Sequence, residues 1–89
     1  MSFSSFNAVC NSGNKRPIIY PPTGMRKYLL IENRSVAEIY VNFERVATSI
    51  DGIRIYSGGT YELESSVPQG EIHLAGSITT DQIINITTG

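Results

Sequence analysis

The side chains best equipped for chemistry in this 89-residue sequence are few: His73, Cys10, the carboxylates Glu62 and Glu64, and the trio Tyr40, Arg54 and Tyr56. A histidine could serve as general base for one of the many Ser or Thr hydroxyls, and paired carboxylates could share acid and base roles. Here His73 alternates with Ile72 and Leu74, so a strand turns it away from the core and out of any cleft. Glu62 and Glu64 also share an outward face, where two solvated carboxylates are ordinary surface. A metal site needs several ligands at close spacing, and the single histidine and single cysteine have no such company. Gly58-Gly59 lacks the strand-to-helix setting and the lysine that a phosphate-binding loop requires. Neither a metal nor a cofactor is expected, and the chain does not read as an enzyme. Tyr40, Arg54 and Tyr56 fall on outward positions and could form a platform for a sugar or a peptide. The same tyrosines could line a subunit contact or cap the edge of the core.

The elements that must position these groups read as strands. Apolar segments at Tyr28–Ile31 and Ile39–Phe43 flank a polar turn at Asn33-Arg34-Ser35. A first strand is expected over Lys27–Glu32. A second, over Glu38–Phe43, alternates Ile39, Val41 and Phe43 with Tyr40 and Asn42. Val46–Ile50, the turn pair Asp51-Gly52 and Ile53–Tyr56 together spell a hairpin, because Asp-Gly suits the two positive-φ positions of a tight turn. After Gly58-Gly59 come Thr60–Glu64, with Tyr61 and Leu63 inward, then a turn at Pro68-Gln69-Gly70. Glu71–Leu74, with Ile72 and Leu74 inward, and Gln82–Thr87 complete the series. No window shows helical periodicity, and Ser35–Glu38 could form a single turn at most. The expected fold is all-β, a small antiparallel β-sandwich or jelly-roll-like barrel over residues 26–89.

Residues 1–25 read as an extended N-terminal arm. Asn11-Ser12-Gly13-Asn14 is turn-prone, and Pro17, Pro21 and Pro22 forbid helix. Ile18, Ile19 and Tyr20 form an apolar patch between the prolines, preceded by the basic pair Lys15 and Arg16. Such an arm could lie across a neighbour and order on contact, or it could cover the open edge of its own sheet. Two strands also break the inside–outside rule: Tyr28, Leu29, Leu30 and Ile31 are apolar on both faces, as are Ile83 and Ile84. A strand apolar on both faces is normally covered on both. Leu29, Ile31 and Ile83 are therefore interface candidates, together with Lys15, Arg16, Ile18, Ile19 and Tyr20 of the arm.

A chain this short commonly finds extra burial in disulfides, a metal or a partner subunit. A lone Cys10 excludes an intrachain disulfide and fits a reducing cytoplasm, which leaves self-association. No apolar run is long enough to span a bilayer, and MSFSSFNAVC has no basic region ahead of an apolar core, so neither membrane nor signal peptide is expected. The sequons at Asn33 and Asn85 are then chance matches. Net charge is −1 but lopsided: residues 1–34 carry Lys15, Arg16, Arg26, Lys27 and Arg34 against Glu32, while seven of the eight acids lie beyond. The basic front could dock on an acidic surface, including the body of a second copy. Five cations fall short of the dense basic stripe that nucleic acid demands.

R-K-Y-L-L-I-E-N-R-S at 26–35, I-Y-V-N-F at 39–43 and G-I-R-I-Y-S-G-G-T-Y-E at 52–62 resemble small all-β virion structural proteins of tailed bacteriophages. That pattern has an Arg, an L-x-I-x-N-x-S strand, an I-x-V-x-F strand and a glycine pair before x-Y-E. The resemblance covers roughly residues 26–89, and the arm lies outside it. It departs from the pattern after Phe43, where a glycine is expected for a tight turn and Glu44-Arg45 stands instead. The resemblance implies a structural role on the particle: a capsid decoration (cement) protein, a minor head protein, or a collar or tail component. It implies the major capsid protein or another virion protein as partner, and a chain made in the host cytoplasm and destined for the virion. A receptor- or carbohydrate-binding module is the alternative.

Overall fold

Inward side chains at every second residue dictate two facing layers here. The computed structural model of the chain describes residues 3–21 and 24–89. It holds eight strands: β1 (Ser4–Cys10), β2 (Ile18–Ile19), β3 (Leu29–Asn33), β4 (Ile39–Phe43), β5 (Ile53–Ile55), β6 (Thr60–Leu63), β7 (Ile72–Gly76) and β8 (Gln82–Thr88). They form two four-stranded antiparallel sheets packed as a sandwich, one ordered β1-β8-β3-β6 and the other β2-β7-β4-β5. The described residues contain no helix and the sheets do not close into a barrel. The first sheet contributes Ala8, Cys10, Leu29, Ile31, Ile84 and Ile86 to the core, and the second contributes Ile39, Val41, Ile55, Ile72 and Leu74. Each set follows the period of two that separates the faces of a strand.

The N-terminal segment is built into this sandwich. Ser4–Cys10 pairs along its whole length with β8, and Ile18–Ile19 pairs with Ile72 and His73 of β7. Ala8 and Cys10 point into the core, an alternation that the small polar residues around them disguise in the sequence. Of the two roles open to an arm, the segment therefore covers the edges of its own sheets, and the division at residue 25 does not separate two units. Lys15 reaches Asp81 at 2.7 Å, so part of the basic front docks on the acidic body of the same chain. Pro22, one of the three prolines of the arm, lies outside the described residues.

One expected strand is absent. Residues 44–52 form a loop between β4 and β5, with Val46 and Ile50 exposed rather than alternating. Thr48 Oγ1 accepts from the backbone N–H of both Ile50 and Asp51, and this local bonding replaces a sheet ladder. Gly52 has φ 146°, whereas Asp51 has no positive φ, so the two-residue turn does not form. The glycine pair does turn the chain as expected: Gly58 has φ 76° and Gly59 N–H donates to Tyr56 O at 2.8 Å.

Candidate functional site

Three polar knots fix the loops around the core. Gln82, fully buried, donates through Nε2 to Ser35 Oγ and to the carbonyls of Ala37 and Glu38, while its Oε1 accepts from Ser77 and Ile78 N–H. Asn33 donates to Ala37 O and Ile55 O and accepts from Ser35 through both N–H and Oγ. The L-x-I-x-N-x-S stretch thus supplies two core residues, Leu29 and Ile31, and two members of this knot. In a second knot Asn11 Oδ1 accepts from Gly13 and Lys15 N–H, and Asn11 O accepts from Gly76 N–H. A Cβ at Gly76 would lie 2.6 Å from Asn11 Cα, so only glycine permits this approach. The Asn11 amide and Lys15 both donate to Asp81, and the two hydrogen bonds hold that carboxyl below its ordinary range.

Arg26 forms the third. It is almost fully buried, and its guanidinium donates to the carbonyls of Pro68, Gly70 and Tyr20. Gln69 accepts from Arg26 N–H and donates back to Arg26 O. Burial lowers the arginine's pKa, and the carbonyl oxygens hold its five-donor fork in place.

Tyr40, Arg54 and Tyr56 do come together on the outer face of the second sheet. Tyr40 and Arg54 are register partners across β4 and β5, and the Arg54 guanidinium carbon lies 6.0 Å from the Tyr56 ring centroid. Sequence reasoning missed Glu38, whose Oε2 accepts from Tyr40 OH at 2.6 Å and lies 3.0 Å from Arg54 Nε. Its place two residues before Tyr40, on the same face of the strand, was the available signal. The hydrogen bond to Glu38 raises the Tyr40 pKa, with desolvation and the carboxylate charge adding to it. One carboxylate oxygen therefore takes the Tyr40 hydroxyl proton and faces the Nε side of Arg54, and the outer end of the guanidinium remains exposed beside the Tyr56 ring. Beside Tyr40 lies an open hollow of about 280 Å³, with Arg16, Thr48, Ser49 and Ser77 around an Ala75 floor. Ser77 and Thr48 already spend their hydroxyls on the backbone.

The interface candidates scatter. Leu29 and Ile31 are fully buried in the chain's own core, so they offer nothing to a partner; the outer face of this stretch belongs to Tyr28, Leu30 and Glu32 instead. Ile19 packs against the rim of the core, whereas Ile18 and Tyr20 are exposed. Lys15 is tied to Asp81, and Arg16 donates to Ser12 O from an exposed position. Ile83 is 48% exposed and stands across from Val9, which is 37% exposed, on the outer face of the first sheet. His73, expected in the open, is largely covered, with Nε2 3.0 Å from Glu71 and Ile18 opposite it on β2.

On the outer face of the first sheet, Glu32, Glu62 and Glu64 cluster around Tyr28 at the β3–β6 side, and the β1–β8 side is uncharged. Ser5 bonds Thr87 and Asn85 donates to Asn7, each pair bridging β1 and β8. Val9 and Ile83 form the apolar surface beside these pairs, next to the open edge of β1, and Phe6 projects from the opposite face of that strand. Compared with protein-family models and with curated proteins, the chain matches none of them.

Proposed function

We propose that this chain is a non-enzymatic virion structural protein, a capsid decoration or minor head protein that self-associates through its β-core and contacts neighbouring shell subunits. The observation that carries this reading is the placement of its uncommitted apolar surface. Val9 and Ile83 stand side by side on the outer face of the first sheet and Phe6 is exposed on the opposite face of the same edge strand, while His73, Glu38, Asp81, Arg26 and the buried amides are engaged in holding the fold. The resemblance of residues 26–89 to small phage virion proteins supports the same role. The self-contact belongs at Ile83 and its neighbours, not at Leu29 or Ile31.

The alternative, a receptor- or carbohydrate-binding module, draws on the adjacency of Tyr40, Arg54 and Tyr56 beside the Arg16 hollow. Sugar recognition rests on free, convergent polar groups around an aromatic face, and here Glu38 takes the Tyr40 hydroxyl proton and the Nε side of the Arg54 fork. Quantitative mass spectrometry on purified virions of the phage that this reading takes as the source tests the proposal. Hundreds of copies per particle fit a shell or decoration protein, and a few dozen or fewer move it to a vertex, collar or tail. Absence from the particle overturns the proposal and favours the binding module.

A further inference from the structure

The two sheets have four edges between them, and three are guarded. β2 has only two residues, flanked by Pro17 and Pro21, which cannot donate to a ladder. β5 has three residues with Arg54 at its centre, and β6 has four with Glu62 among them and Glu64 just beyond. Short length, charge and proline are the devices by which sheets avoid joining edge to edge. The fourth edge, β1, has none of them. Seven residues long, S-S-F-N-A-V-C, it carries no charge and no proline, and among the described residues its only strand partner is β8.

From this contrast we propose that β1 pairs antiparallel with β1 of a second copy, about a two-fold axis at Asn7, to join the two first sheets into one continuous eight-stranded sheet. The inference rests on the self-associating role proposed above and specifies its contact. A closed two-fold contact must be self-complementary, because each patch meets its own twin. Centred on Asn7, full-length pairing sets Ser4 against Cys10, Ser5 against Val9, and Phe6 against Ala8. The large ring of Phe6, 39% exposed, thus meets the small Ala8. Asn7 accepts from Asn85 through Oδ1, and its own side-chain N–H groups meet no acceptor among the described residues and can reach the twin Asn7 amide. No charge is opposed at any position, and a strongly charged partner would find no complement along this edge. The join also brings the two Val9–Ile83 patches onto one face of the shared sheet.

The test uses the whole chain. Asn7→Cys in a Cys10→Ala background sets two thiols across the axis, where antiparallel Cα separations of about 4.5–5.5 Å suit a disulfide. Mild oxidation is expected to give a covalent dimer on a non-reducing gel, while Asn85→Cys, one strand inward, stays monomeric. Light scattering is expected to report twice the 9.8 kDa chain mass for the unmodified protein. Asn7→Lys, at an exposed position, should return it to the monomer with its β-type circular dichroism intact. A monomeric parent chain, a dimer that persists in Asn7→Lys, or equal cross-linking of the two cysteine variants overturns the pairing. Particle copy number is independent of these outcomes: a dimer absent from virions sinks the functional proposal alone, and a monomer abundant on virions sinks this contact alone.

Discussion

Gln82 Nε2 donates to Ser35 Oγ at 3.0 Å, across 47 residues of chain, and this bond joins the start of β8 to the turn after β3. Ser35 passes the connection on to Asn33 Oδ1 at 2.7 Å. The two buried amides therefore share one hydroxyl, and removing either end leaves backbone groups without partners.

Gln82→Leu is expected to cost about 2–4 kcal/mol, since Ser77 N–H and Ile78 N–H lose their acceptor and a tightly packed amide is replaced by a branched apolar side chain. The Ala37 and Glu38 carbonyls keep only their other donors. Urea unfolding monitored by circular dichroism measures it. A loss below about 0.5 kcal/mol, the range of ordinary surface substitutions, would mean that water replaces the amide without penalty.

Glu44 occupies the place where the resembling pattern has glycine, and its backbone takes φ 64°, a left-handed conformation that a side chain disfavours. Its N–H still donates to Glu71 O at 2.8 Å. Glu44→Gly should therefore stabilise the protein by roughly 0.5–1 kcal/mol, read as a higher midpoint in the same unfolding experiment. An unchanged or lower midpoint would show that the Glu44 side chain contributes more than its backbone strain costs.

Arg26→Met removes the donors to Pro68 O, Gly70 O and Tyr20 O and is expected to lose about 1.5–3 kcal/mol. Arg26→Lys should recover only part of it, because a single ammonium cannot reproduce the planar fork. Full recovery by lysine in thermal unfolding would argue that charge alone holds this corner.

The Cys10 thiol is pushed up to about 11, by burial first and by the Asp81 charge second. Its folded pKa exceeds the ordinary thiol value of 9.0, so the unfolded chain releases the proton first as pH rises. Stability from this group is complete below pH 9 and is lost as pH climbs toward 11. Cys10→Ala should flatten that decline relative to the parent chain. Identical pH profiles would show that the thiol does not contribute. In the native state Cys10 should also resist thiol reagents until denaturant is added.

Tyr40→Ala and Tyr56→Ala separate the two functional readings. Under the proposed role both variants still incorporate into particles at the parental copy number, and neither alters binding to glycan arrays or host cells. Loss of such binding with assembly intact would move the protein to the ligand-binding class.

Strands whose side chains alternate cleanly were legible, as β4 shows with Ile39, Val41, Tyr40 and Asn42. The glycine turn at 58–59 was equally plain. β1 was hidden because its inward residues are Ala8 and Cys10, too small to stand out among serines. The Val46–Ile50 strand was a false signal: its apolar residues fit a strand, yet the Thr48 hydroxyl captures the local backbone instead. The Tyr40–Arg54–Tyr56 grouping followed from strand parity; the same parity puts Glu38 beside Tyr40, but parity does not say that its carboxylate takes the Tyr40 proton. Leu29 and Ile31 misled for a simpler reason. A strand with apolar side chains on both faces does not say which face the partner sheet covers.

The pairing of β1 with β8 has a kinetic consequence. Ser5 and Thr87 bond across 82 residues, so the first sheet closes only when nearly the whole described chain has been gathered. Closing so large a loop costs entropy before any ladder repays it, and β-sandwiches of this kind fold on the order of milliseconds to seconds. Until that final zip, β8 has one side unsatisfied, and Gln82–Thr88 is the segment most open to capture by a foreign strand.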